Sequence, residues 1–137
     1  MTFRIDEGRP TPDELLTLYR EVGWTAYTEA PETLVAAVAA SHTVVLARAA
    51  DGRLVGLART LSDDHTIAYL QDVLVHPDVR REGVGGALLD AVLERYRHVR
   101  QLVLLTDAEP GQRLFYESRG LREVRDVDPP LRSFVRI

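Results

Sequence analysis

Apolar positions along the chain switch repeatedly between two periods. Residues 2–6 alternate and predict a short first strand. Thr11-Pro12-Asp13-Glu14 reads as a capping box, with Pro12 at the first helical position. The helix it opens runs to about Val22. Leu15, Leu16, Leu18 and Tyr19 form its apolar face, and Gly23 ends it. Glu29-Ala30-Pro31 opens a second helix through an alanine-rich stretch to residue 40.

Two strands follow, residues 43–50 and 53–61, joined by the hairpin signal Asp51-Gly52. A turn at Ser62-Asp63-Asp64-His65 leads to a third long strand, residues 66–75, which His76-Pro77-Asp78 stops. His76 reads simply as part of that turn. Leu88, Leu89, Val92, Tyr96 and Val99 recur at helical spacing and predict a helix over residues 84–99. Residues 101–106 form a short, nearly continuous apolar run, as a buried strand does. A further helix begins at Pro110 and ends at Arg119-Gly120. Residues 121–127 and 131–137 predict two weak strands around Asp128-Pro129-Pro130. The order β-α-α-β-β-β-α-β-α-β-β implies an α/β protein: a mixed, mostly antiparallel sheet flanked by about four helices.

Length changes this picture little: 137 residues suit one domain, residues 1–137. Composition excludes more. The chain has no Cys, no Lys and no Asn, so all 17 basic residues are Arg. Disulfides, cysteine nucleophiles, thiolate zinc sites, lysine Schiff bases and phosphate-loop lysines are all ruled out. The formal net charge of -4 disfavours general nucleic-acid binding, and no nucleic-acid partner is expected. No apolar run approaches the roughly 20 residues that span a membrane, and the N-terminal stretch is charged. A soluble, cytoplasmic protein with no membrane partner is expected. His42, His65, His76 and His98 are scattered without metal-ligand spacing, so no metal is expected.

The candidate chemistry lies between the third long strand and the following helix. There the chain reads Val73-Leu74-Val75-His76-Pro77-Asp78-Val79-Arg80-Arg81-Glu82-Gly83-Val84-Gly85-Gly86. A strand passes through a basic turn into glycines that open a helix. The first amides of a helix lack internal partners, and its dipole favours an anion there. Glycines let a phosphate approach the backbone closely.

Arg80-Arg81-Glu82-Gly83-Val84-Gly85 resembles the cofactor motif of the GNAT N-acetyltransferase superfamily, Gln/Arg-x-x-Gly-x-Gly/Ala after a strand. Phe115-Tyr116-Glu117-Ser118-Arg119-Gly120-Leu121 resembles a second motif of that family, in the expected order. The resemblance covers residues 69–121. It implies a single-domain acyl-CoA N-acyltransferase fold whose sheet splays at the cofactor site. It implies acetyl-CoA as cosubstrate and an amine as acceptor, and it allows a homodimer. By the same resemblance, the backbone of Arg81, Glu82, Gly83, Val84, Gly85 and Gly86 holds the pyrophosphate. Arg80 supports that site, and Val73, Leu74 and Val75 lie along the pantetheine arm. Tyr116 stands at the general-acid position; its alternative reading is an aromatic packed on the sheet.

The chain also departs from the family pattern. Some members carry Glu where Gln71 stands, so that base is lost. Asp72 alternates to the other face and is expected to brace a neighbouring element. Asp107, Glu109 and a water chain remain open as routes for the amine proton. Glu109 replaces an Asn that contacts pantetheine in many members, and it is a candidate for facing the acceptor. In the connection between the first two helices, Trp24 is either an aromatic wall for an amine or a core plug; Trp24, Tyr27, Gln71 and Glu109 are the candidate acceptor-binding residues. Asp63-Asp64-His65 reads as a solvated turn rather than a cation site. An N-acetyltransferase is the leading expectation. A non-catalytic acyl-CoA-binding module on the same fold is the alternative.

Overall fold

The computed structural model describes residues 1–137. Its elements run β1 (Phe3–Glu7), α1 (Pro12–Val22), α2 (Thr25–Thr28), α3 (Pro31–Ala40), β2 (Thr43–Ala49), β3 (Leu54–Ser62), β4 (Ile67–Val75), α4 (Val84–Arg95), β5 (Gln101–Leu104) and α5 (Pro110–Glu117). They form two compact units, Met1–Leu105 and Thr106–Ile137.

The first unit holds one sheet with strands in chain order. β1 to β4 pair antiparallel and β5 pairs parallel to β4. Short turns join β2 to β3 and β3 to β4, the helices α1 to α3 lie between β1 and β2, and the parallel step from β4 to β5 needs a crossover, which α4 supplies. One face is covered by α1 and α3. Leu15, Leu18, Tyr19, Leu34 and Val38 pack there on Val44, Leu46, Leu57 and Leu74. α4 lies on the other face. A Cβ added to Gly56 of β3 would sit 2.9 Å from Val84 Cγ1 and 3.0 Å from Leu88 Cδ1, so the missing side chain sets how closely α4 approaches. Tyr96 pins the far end of this helix, its hydroxyl 2.6 Å from Thr60 Oγ1 and 2.7 Å from Thr43 Oγ1.

The predicted capping box is present in full: Glu14 N donates to Thr11 Oγ1, and Thr11 N donates to Glu14 Oε2. Gly23 ends α1 in the left-handed conformation at φ 84°. Gly23 N bonds Arg20 O, and Trp24 N bonds Tyr19 O. This paired closure brings the residue after the glycine against the helix. The rings of Trp24 and Tyr19 accordingly meet edge to face at 5.8 Å. α5 ends the same way: Gly120 N bonds Glu117 O, and Leu121 N bonds Tyr116 O.

Three expectations need correction. There are five α-helices, the extra one being the single turn α2. The helix expected to reach residue 99 stops at Arg95. Residues 121–127 and 131–137 are not strands: Val124–Asp126 is a 3-10 turn, and the rest has no regular structure. Arg113 of α5 explains part of this. It binds Glu117, Glu123 and Asp126 at 3.0, 2.9 and 2.8 Å, drawing that segment back onto α5. Pro129 and Pro130 remove two amide donors from whatever ladder would follow.

Candidate functional site

β4 is the organising strand. Its nine residues pair along β3, but β5 accompanies only the first four, from Ile67↔Gln101 to Leu70↔Leu104. Residues 71–75 have no ladder partner on the β5 side. The sheet opens there, and Val73, Leu74 and Val75 border the opening. Val73 and Val75 sit opposite Ala58 and Gly56 on the α4 face, while the Leu74 side chain is buried in the α1 core. Only the backbone of Leu74 is therefore placed to meet a ligand.

At the end of β4 the chain makes a 3-10 turn, Pro77–Val79, and then enters the glycine segment. Arg81 is left-handed at φ 69°, a conformation costly for a residue with a Cβ, and Gly83 follows at φ 86°. Arg80, Arg81 and Glu82 are exposed. α4 then begins with no side chain capping it. Its first internal bond is Ala87 N to Gly83 O at 3.0 Å, so the amides of Gly83, Val84, Gly85 and Gly86 have no partner within the helix. The contrast with α1 is direct. There Thr11 fills the helix start; here the start is left open, flanked by two arginines and lacking side chains at Gly83, Gly85 and Gly86. An anion with several oxygens fits this donor set, and so does the pyrophosphate of a coenzyme.

On the opposite face the helical connection meets β4. A β-bulge falls where Arg59 pairs Asp72 and Thr60 pairs Leu70, leaving Gln71 as the extra residue. Gln71 Nε2 donates to the Tyr27 hydroxyl at 3.1 Å, and that hydroxyl donates to Asp72 Oδ1 at 3.1 Å. Asp72 also accepts from Tyr19 at 2.9 Å and from Arg59 Nε at 2.6 Å. Burial, followed by the Asp72 charge, pushes the Tyr19 hydroxyl well above the ordinary tyrosine range and keeps it a donor. Asp72 thus braces α1, α2 and β3 as expected, but not on a face apart from Gln71: the bulge interrupts the alternation between them, and both side chains reach the Tyr27 hydroxyl. The sequence reading missed the network as a whole. Its signal was two charged residues, Arg59 and Asp72, inside apolar strands. Trp24 is half-buried, packed on the core and tilted against Tyr27 at 6.1 Å.

The acidic turn serves the chain itself. Asp63 accepts from the amides of His65, Thr66 and Ile67. Asp64 binds Arg95 at 2.9 Å and His98 at 3.0 Å. No group of three or more His, Cys, Asp or Glu side chains is arranged to hold a metal ion, and no helix is long and apolar enough to cross a membrane.

Tyr116 and Glu109 belong to the second unit. Tyr116 lies on α5, half-buried, with Phe115 edge-on at 5.0 Å. Burial, and then the Asp107 charge, push its phenol above the ordinary value. Glu109 is exposed and precedes α5 without capping it; its amide donates to Asp107 Oδ1 at 3.0 Å.

An opened sheet, an uncapped glycine-rich helix start and this strand order together describe an acyltransferase scaffold. The family model for the acetyltransferase (GNAT) domain matches residues 13–129. The chain belongs to the GNAT acetyltransferase family. A GNAT-family acetyltransferase from Streptococcus pneumoniae superposes with a TM-score of 0.84 at 27% identity, covering 99% of this chain and 98% of that one. The structure of AAC(6')-Iy in complex with a bisubstrate analog containing CoA superposes with a TM-score of 0.68 at 18% identity. The match covers 100% of this chain and 98% of that one. The N-acetyltransferase ycf52 of Pyropia yezoensis is 32% identical over 79 residues, which is 58% of this chain and 44% of that protein. The histone acetyltransferase TAP1 of Glycine max is 30% identical over 98 residues, 67% of this chain and 40% of that protein. The matched region is thus under half the length of these two relatives.

Proposed function

We propose that the protein is an acetyl-CoA-dependent N-acetyltransferase acting on a primary amine of a small molecule or protein, with residues 1–137 as one catalytic domain. The observation that carries this reading is the uncapped start of α4 following directly on the opened end of β4. The amides of Arg81, Gly83, Val84, Gly85 and Gly86 bind the pyrophosphate, with Arg80 supporting the loop; the Glu82 amide, expected to join them, is held by Val79 O instead. The free edge of Val73, Leu74 and Val75 aligns the pantetheine arm. When bound, the coenzyme supplies an activated acetyl thioester.

Transfer is direct; the absence of a cysteine, which excludes a cysteine-bound acetyl intermediate, agrees with this. The amine nitrogen forms the new bond to the acetyl carbon as the carbon–sulfur bond breaks, and the proton it gives up leaves through Asp107, Glu109 or a water chain. Tyr116 supplies the proton taken by the departing thiolate, and its raised pKa keeps that proton in place at neutral pH. Gln71, Tyr27 and Trp24 line the acceptor side, with Glu109 a further acceptor contact. Gln71 orients rather than deprotonates, since an amide cannot take up the proton. The reaction proceeds in the cytoplasm and needs no metal.

The test is thiol release from acetyl-CoA across polyamines, arylalkylamines, amino sugars, amino acids and peptide N-termini, with wild type and Tyr116→Phe. Amine-dependent release that falls at least roughly tenfold in the variant is expected, since general acids contribute on the order of 100-fold or more. Tight acetyl-CoA binding without turnover on any amine would favour a non-catalytic acyl-CoA-binding module. Failure to bind acetyl-CoA would refute both.

A further inference from the structure

His76 closes β4, and its ring turns back onto the chain that follows. Nδ1 lies 3.1 Å from the amide nitrogen of Asp78 and caps the Pro77–Val79 turn. The backbone of His76 is held too. Its amide donates to Val55 O on β3 at 2.7 Å, and its carbonyl accepts from Val79 N at 3.0 Å. The next link continues the line: Glu82 N donates to Val79 O at 3.3 Å. A short ladder of hydrogen bonds therefore leads from the end of β4 to the loop that precedes α4. The amide of Asp78 can only donate, so Nδ1 must offer its lone pair and the ring proton sits on Nε2. Glu21 Oε2 lies 3.9 Å from Nε2 and Asp78 Oδ2 lies 3.8 Å from Nδ1, neither within hydrogen-bond reach, so the 3.1 Å bond from the Asp78 amide decides the tautomer. The imidazole is 11% exposed, so water competes little for either nitrogen.

We propose that His76 is a positioning residue for the anion-binding loop. Its Nδ1 lone pair holds the Pro77–Val79 turn, and the turn sets the direction in which the amides of Arg81 and of residues 83–86 are presented. The functional part of this statement rests on the pyrophosphate reading given above. Arg81 makes the dependence sharper, because its left-handed backbone persists only while its surroundings hold it.

A ring that only fills space is replaceable by another ring, whereas a cap is replaceable by another acceptor at the same place. Asn carries its amide oxygen on Cγ, as His carries Nδ1, and Asn is among the preferred capping residues. Phe keeps the ring without an acceptor.

The experiment compares wild type, His76→Asn and His76→Phe by calorimetric titration with acetyl-CoA and by hydrogen exchange at the amides of Asp78, Val79 and Glu82. His76→Leu is a second acceptor-free variant should the phenyl ring prevent folding. The acceptor-free variants are expected to bind acetyl-CoA roughly fivefold more weakly, the usual worth of a cap, and to exchange these amides faster by a similar factor. His76→Asn is expected to stay within about twofold of wild type in both readouts. The proposal is overturned if the Phe or Leu variant matches wild type, or if Asn is as impaired as they are. If wild type fails to bind acetyl-CoA, the pyrophosphate reading falls. The exchange data then decide alone whether the acceptor at residue 76 holds the turn.

Discussion

Arg59 and Asp72 face each other across β3 and β4, Nε to Oδ2 at 2.6 Å, with both side chains buried. The carboxylate takes further bonds from Tyr19 and Tyr27, so one acidic group gathers β3, α1 and α2. Such a pair is costly to break from one side only. Asp72→Ala leaves a buried guanidinium without its counter-charge and is expected to lower stability by about 3–5 kcal/mol in urea unfolding. Replacing both partners, as in Arg59→Met with Asp72→Leu, is expected to recover much of that loss. A single variant of wild-type stability would refute the bracing role.

A Cβ added at Gly23 would meet nothing within 4 Å, yet the residue sits at φ 84°. Gly23→Ala therefore isolates the backbone cost of the left-handed conformation, about 1–2 kcal/mol. The same variant is expected to loosen Trp24 from Tyr19, visible as a change in tryptophan fluorescence.

Gly56→Ala tests crowding instead. Its new Cβ meets Val84, Leu88 and the Leu74 carbonyl oxygen at 2.9, 3.0 and 3.2 Å. A loss of about 1–3 kcal/mol is expected. Thermal unfolding of Gly56→Ala with and without Val84→Ala measures how much of the loss comes from the Val84 contact.

Glu14 couples the start of α1 to β2 through Arg48, at 2.8 Å. The hydrogen bond from Arg48 holds its carboxyl below the ordinary value of 4.5. A depressed folded-state pKa adds stability that is present above 4.5 and lost as pH falls through the lower folded value. Glu14→Gln is expected to flatten that acid limb of the stability curve while changing little of its shape at neutral pH. Identical acid limbs in the two proteins would contradict the coupling.

For Tyr116 the sign is opposite in consequence. Burial and the Asp107 charge raise its pKa above 10, so the acid form persists through neutral and mildly alkaline solution. With Tyr116 as the proposed general acid, loss of kcat from its ionisation is expected only above pH 10. A limb near about pH 8 that disappears in Tyr116→Phe would show that burial does not hold the proton.

Much of the fold was legible because its signals are local. The capping box at Thr11, the glycine stops at Gly23 and Gly120, and the Asp51-Gly52 hairpin each place a boundary within a few residues. The open helix start at Gly83 was legible for the same reason. What escaped depends on residues distant in sequence. Arg59, Asp72, Tyr19 and Tyr27 meet only after four elements have packed. The tail failed as strands because strand-like composition cannot name a pairing partner, and Arg113 drew part of the segment toward α5. His76 looked like turn filler because a ring acceptor is seldom read as a cap.

The bulge in β4 bears on how this strand can change. Opposite residues share a face, so Leu70, across from Thr60, lies on the α4 side, and Asp72, across from Arg59, lies on the α1 side. That is the alternation of an ordinary ladder, with Gln71 inserted between two steps that already agree. The sheet makes no demand on the side chain at 71. Substitution there is free to vary the chemistry facing Tyr27 and the helical connection while every neighbouring pairing keeps its register. A supernumerary residue of this kind gives a scaffold a place to diversify without redrawing its architecture.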